Sequence, residues 1–155
     1  LLSRKAQRDT QERVFLAYAG TEDNLQRCLP FPSKYLGFLD MKQLVLAYQA
    51  ADVFVCPSIE DSGPVMINES LMCGTPVVAF DMGVAPDLVH NDLTGYRAEL
   101  KNSEDMANGI SKVLSLSDRD YDNLSENCRK IALEKSEMKK QNETIYEIIT
   151  THKVR

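Results

Sequence analysis

Short, unbroken apolar runs alternating with helix-patterned segments set the strongest limit on how this chain can fold. The runs are 14–19 (VFLAYA), 35–39 (YLGFL), 52–56 (DVFVC) and 76–80 (PVVAF), with a shorter one at 95–99. A strand with one wet face alternates apolar and polar residues, whereas a strand covered on both faces reads as a continuous apolar run. Helix chemistry lies between the runs. Asp40 suits the N-cap of a helix through Ala51. Pro64 suits the first turn of a helix ending at Cys73, and Gly74 suits the position just beyond it. A short helix is predicted over 85–90, and the chain is helical from about Ser103, with breaks near Ser117 and Lys135–Ser136. Residues 2–13 read as a polar helix and 25–28 as a short helical or irregular piece. This order predicts an α/β fold: a Rossmann-like parallel sheet with helices on both faces. Such a sheet usually opens on a strand, yet this sequence opens on a helix. The expectation is one domain over residues 1–155, its first strand missing, cut from a larger protein.

A length of 155 residues fits one domain of ordinary size. The net charge of −5 argues against nucleic acid or anionic lipid as the main partner. No apolar run approaches the ~18 residues of a membrane-spanning helix, and the N-terminal stretch lacks the apolar segment of a secretory signal. Cys28, Cys56, Cys73 and Cys128 form no CxxC pair. They read as free thiols in a reducing, cytoplasmic compartment. His90 and His152 have no neighbours with metal-ligand spacing, so no metal site is expected. Met66, Met72 and Met82 read as core.

Parallel sheets of this kind bind ligands beyond the C-terminal ends of their strands, which directs attention to Pro57–Phe80 (PSIEDSGPVMINESLMCGTPVVAF). Asp61 lies in the loop after the third strand, and Ser62, Gly63 and Pro64 lead into the next helix. Glycine lets a backbone approach a ligand closely, and a helix start offers free N–H groups to phosphate or sugar oxygens. Glu69 follows eight positions later, in a helix that reads as apolar almost all round and therefore buried. At about 100° per residue its neighbours are Val65, Met66, Met72 and Cys73, with Ile67 and Leu71 on the far face. A buried carboxylate needs partners. Two ribose hydroxyls would satisfy it, and so would a core arginine or lysine. Between Pro57 and Asp105 the only bases are Arg97 and Lys101, too few to neutralise a diphosphate.

Taken as an ordered set, these motifs resemble the C-terminal, donor-binding domain of bacterial retaining glycosyltransferases of the glycosyl-transferases-group-1 type, built on the two-domain GT-B architecture. Asp61 and Glu69 match the family's acid-to-Glu spacing. Leu71–Pro76, then Gly83, Pro86, Asp87, Leu88 and Val89, then Gly95-Tyr96, match the blocks that follow. Tyr35–Leu39 and Ala50-Ala51-Asp52 match those before. The resemblance implies that Glu69 binds ribose hydroxyls and that Asp61, the catalytic candidate, sits near the donor sugar's hydroxyls. It also implies that Ser62, Gly63 and Val65 lie against sugar and phosphate oxygens, with Gly37 and Phe38 beside the base. Asp61 stands where the family usually has Glu, and Glu60 is the functional acid if the loop shifts by one residue. The implied substrate is a UDP-, GDP- or ADP-linked sugar, transferred to a glycan or lipid-linked acceptor without cofactor or metal. The implied partner is an N-terminal acceptor domain of the same polypeptide, and any peripheral membrane association would come only through the full-length enzyme. The family's diphosphate-clamping Arg and Lys follow a strand absent here, so this chain alone is expected to be inactive. The rival reading is a non-catalytic nucleotide-binding or interaction module on a Rossmann scaffold.

Overall fold

A computed structural model describes residues 14–20, 31–61 and 65–136. The predicted helices at 2–13 and 25–28, and Ser62, Gly63 and Pro64, lie outside the described residues. Among the described residues there are five strands: β1 (Leu16–Tyr18), β2 (Ser33–Tyr35), β3 (Phe54–Cys56), β4 (Val77–Phe80) and β5 (Gly95–Ala98). Five helices accompany them: α1 (Met41–Ala50), α2 (Val65–Met72), α3 (Ala85–Leu88), α4 (Ser103–Leu114) and α5 (Asp118–Ser136).

All strand pairing is parallel, in two sheets. One is β1–β2 and the other β3–β4–β5. Strand β4 lies in the centre of the second sheet and is buried throughout, as its unbroken apolar run predicts. Its side chains alternate between two cores. Val77 and Ala79 join Ile67 and Leu71 of α2, Leu88 of α3, and Cys128 and Ala132 of α5. Val78 and Phe80 join Val53, Ala98, Met106 and Val113 on the opposite face, where Val14 and Leu16 also pack. Helices therefore cover both faces of the sheet.

Two glycines are required by close approach. Gly95 opens β5 at φ +147°, and a Cβ placed there would lie 1.8 Å from the Val77 carbonyl oxygen. Gly109 of α4 faces the Tyr96 ring, where a Cβ would come within 2.3 Å. Helix α1 starts at a capping box, in which Gln43 N–H donates to Asp40 Oδ1 (2.9 Å) and Asp40 N–H to Gln43 Oε1 (3.0 Å).

Two boundaries differ from expectation. The second strand covers Ser33–Tyr35 and not Tyr35–Leu39, because Gly37 turns the chain at φ +73° and Phe38 points into solvent, 82% exposed. The last helix continues through Ser136 without the break expected at 135–136. Among the described residues, no helix is long and apolar enough to cross a membrane.

Candidate functional site

Because the strands of each sheet are parallel, the segments following them gather at one edge. After β3 come Pro57–Asp61, with Glu60 and Asp61 both exposed, and α2 then begins at Val65. Helix α2 ends in a Schellman motif. Gly74 sits at φ +80°, its N–H reaches Leu71 O (2.9 Å), and Thr75 N–H reaches Ser70 O (3.0 Å). The Ser70 hydroxyl adds a bond to Thr75 O (3.0 Å). The Cys73-Gly74-Thr75-Pro76 segment thus terminates the helix and starts β4, which fixes α2 against the sheet.

The expectation that α2 is buried on all sides is corrected. Ile67 and Leu71 are fully buried, but Val65 (67% exposed), Met66 and Met72 face outward. Of the three methionines read as core, only Met82 packs against it. Glu69 shares the outward side and is half-buried. Side chains three and four positions apart on a helix share a face, so one stripe forms the core and the Glu69 side is left open.

Among the described residues, no lysine or arginine makes an ion pair with Glu69. Its side chain instead accepts a hydrogen bond from the Tyr48 phenol, at 3.3 Å to Oε2. Tyr48 belongs to α1 and is 3% exposed. Its ring packs edge-on against Phe54, with centroids 5.4 Å apart. Burial, followed by the charge of Glu69 and the hydrogen bond to it, pushes the Tyr48 phenol far above the usual tyrosine range. The Cys73 thiol is also raised, chiefly by burial, with Arg129 opposing and Glu69 adding to the shift.

Arg97, near the strand tips, is engaged. Arg97 Nε lies 3.2 Å from Asp81 Oδ1, and Arg97 Nη1 donates to Pro86 O (3.1 Å).

Gly37 and Phe38 sit in the loop joining β2 to α1, so the helix that supplies Tyr48 to Glu69 also leads out of that loop. A cavity of about 200 Å³ lies elsewhere, lined by Asp92, Gly95, Lys112, Asp120 and Asn123. Gly95 is the first residue of β5, so this cavity is at the opposite edge from the strand tips, and the Lys112–Asp92 ion pair (2.7 Å) lies at its wall.

Tyr48 went unnoticed in the sequence. It continues the helical apolar spacing Met41, Leu44, Val45, Tyr48 and reads as core. The signal that could have exposed it is chemical: a buried tyrosine hydroxyl needs a partner.

Comparison with known proteins bears on the family and the fold. Residues 25–132 match the model of the family "Glycosyl transferases group 1". An uncharacterised glycosyltransferase of Methanocaldococcus jannaschii is 32% identical over 81 residues, 52% of this chain and 21% of that protein. A D-inositol 3-phosphate glycosyltransferase of Saccharomonospora viridis is 36% identical over 72 residues, 46% of this chain and 17% of that protein. The chain thus aligns with about a fifth of the length of these relatives. Among solved structures, Anabaena HepE in complex with UDP-glucose superposes with a TM-score of 0.69 at 23% identity, covering 96% of this chain and 43% of that one. The fold is that of the Rossmann-like half of a GT-B glycosyltransferase, and the chain belongs to the glycosyl transferases group 1 family.

Proposed function

We propose that this chain is the donor-binding half of a retaining glycosyltransferase, taking a UDP-linked sugar first among the nucleotide-sugar candidates. One observation carries the reading. Glu69 is a half-buried carboxylate on the open side of α2, with a neutral phenol and no cation as its partner among the described residues. A carboxylate in that setting retains lone pairs for two ribose hydroxyls. HepE, which shares the fold, was solved with UDP-glucose and with UDP, and this supports the choice of base.

In this reading Asp61, or Glu60 beside it, meets the donor sugar's hydroxyls. Ser62, Gly63 and the first-turn amide of Val65 offer N–H groups to sugar and phosphate oxygens. Gly37 and Phe38 border the base. The bond from the sugar's anomeric carbon to phosphate breaks, a bond to an acceptor oxygen of a glycan or lipid-linked chain forms with the same anomeric configuration, and the nucleoside diphosphate departs. The acceptor is bound by a facing domain of the same polypeptide, and the cations that stabilise the departing diphosphate follow the first strand of the donor half, which this sequence does not include. Stabilisation of that charge is usually the largest catalytic contribution, so the 155-residue chain alone binds the donor without turning it over. The free Cys56, Cys73 and Cys128 support a reducing, cytoplasmic setting.

Titration of the chain with UDP, GDP and ADP tests the reading. Saturable binding is expected, weakened at least about tenfold in Glu69→Ala, the loss of charge-assisted hydrogen bonds. Binding indifferent to that substitution overturns the site, and robust sugar transfer by this chain alone overturns the claim of inactivity.

A further inference from the structure

We propose that Tyr48 is a positioning residue for Glu69, its phenol holding carboxylate oxygen Oε2 so that Oε1 is presented to the nucleotide's ribose. This rests on Glu69 being the ribose ligand.

The geometry places Tyr48 between the two helices with little freedom. Its hydroxyl lies 3.3 Å from Glu69 Oε2. Its ring stands at 88° to the Phe54 ring on β3. Its carbonyl accepts the Thr75 hydroxyl (2.7 Å) and the Ala51 N–H (3.0 Å). Thr75 is in turn bonded, through its backbone N–H and carbonyl, to Ser70 of the helix that carries Glu69. The phenol is therefore referenced to the same helix end as the carboxylate it touches, and the two are held in one frame. Glutamate has three side-chain torsions and would otherwise sample several directions from a half-exposed position.

The chemistry of the partner matters as much as its place. A lysine or arginine at this position would neutralise the carboxylate and compete with the ligand, whereas a phenol directs it and leaves its charge. Burial and the adjacent carboxylate keep the hydroxyl protonated, so it acts as a donor throughout the ordinary pH range. The 3.3 Å separation is long against the ~2.7–2.8 Å typical of O–H···O bonds. Such a contact orients more than it stabilises, and contacts of this kind commonly tighten when ligand arrives.

The test compares UDP with 2′,3′-dideoxy-UDP on the full chain, for the unmodified protein, Tyr48→Phe, Glu69→Ala and the double variant. Tyr48→Phe keeps the ring and removes only the hydroxyl. It is expected to weaken UDP binding about three- to tenfold, the range for one net hydrogen bond, to leave the dideoxy nucleotide unaffected, and to hold the melting temperature within a few degrees. In the Glu69→Ala background it should have no further effect. If Tyr48→Phe binds UDP like the unmodified chain, weakens both nucleotides equally, or adds independently to Glu69→Ala, Tyr48 does not position the ligand. If Glu69→Ala itself leaves UDP affinity unchanged, or UDP does not bind, the underlying site fails and this inference with it.

Discussion

The two sheets differ in sequence and in packing: β1 and β2 read Leu-Ala-Tyr and Ser-Lys-Tyr, whereas β3 and β4 read Phe-Val-Cys and Val-Val-Ala-Phe. In β4 all four residues are buried, and the cores on its two faces are closed by α2 and α5 on one side and by α4 on the other. In β1 and β2 no residue reaches full burial; the Tyr18 and Tyr35 rings meet with centroids 5.3 Å apart, and Val14 and Leu16 pack against the second core. The candidate site draws on both regions. Glu69 is fixed by the dense one through the α2 cap, while Gly37 and Phe38 extend from the lighter one. In the proposed reading, the densely packed region carries the carboxylate that must keep its direction, and the lighter region carries the segment beside the base.

The sharpest way to break this contrast is Gly95→Ala. Its Cβ would collide with the Val77 carbonyl, and its backbone sits at φ +147°. We expect a loss above about 4 kcal/mol or no folded protein, since the Val77 backbone in the way belongs to the fully buried β4; urea unfolding measures it. Next in size is a matched pair, one residue from each region. Leu71→Ala, in a fully buried site, should cost about 2–5 kcal/mol. Leu16→Ala, half-buried in β1, should cost roughly half as much, because part of its surface is already wet. Equal costs would show that the two sheets form a single evenly packed core.

A smaller effect concerns acid. Asp105 accepts the Glu99 N–H (2.8 Å) and the Tyr96 hydroxyl (2.7 Å), which hold its carboxyl below the ordinary value of 3.8. A depressed carboxylate contributes stability that is complete above its unfolded pKa and is lost as pH falls through the lower folded one. Asp105→Asn should therefore flatten the decline in stability below about pH 4, and the stability difference between the two proteins should shrink as Asp105 of the unmodified chain becomes protonated. The smallest expected change in stability is Phe38→Ala, within about 0.5 kcal/mol at so exposed a site. If Phe38 stacks on the base, the same variant weakens UDP at least about fivefold. A stable variant with unchanged affinity would remove Phe38 from the site.

The sequence made the sheet and its punctuation legible where one local rule decided the outcome. The run 76–80 became the buried β4, Asp40 became an N-cap, and Gly74 took the left-handed position that ends α2. The pairing of Glu69 with its helix was legible too, but the exposure of its side was not. Val65, Met66 and Met72 are as apolar as Ile67 and Leu71, and only tertiary packing decides which stripe meets the sheet. The second strand was misplaced for a related reason. Apolar letters at 35–39 gave no sign that Gly37 would break the ladder and send Phe38 outward. Tyr48 was hidden because its ring fits the core pattern while its chemistry lies in a single oxygen, 21 residues from the carboxylate it meets.

The outward apolar residues around Glu69 have a consequence for affinity. Val65, Met66 and Met72 lie three or four positions from Glu69 and are exposed on the outward side of α2. In the proposed reading, a nucleoside covering these apolar side chains lowers the local permittivity, and each sugar hydroxyl reaching the carboxylate is attracted more strongly than it would be on an open, hydrated surface.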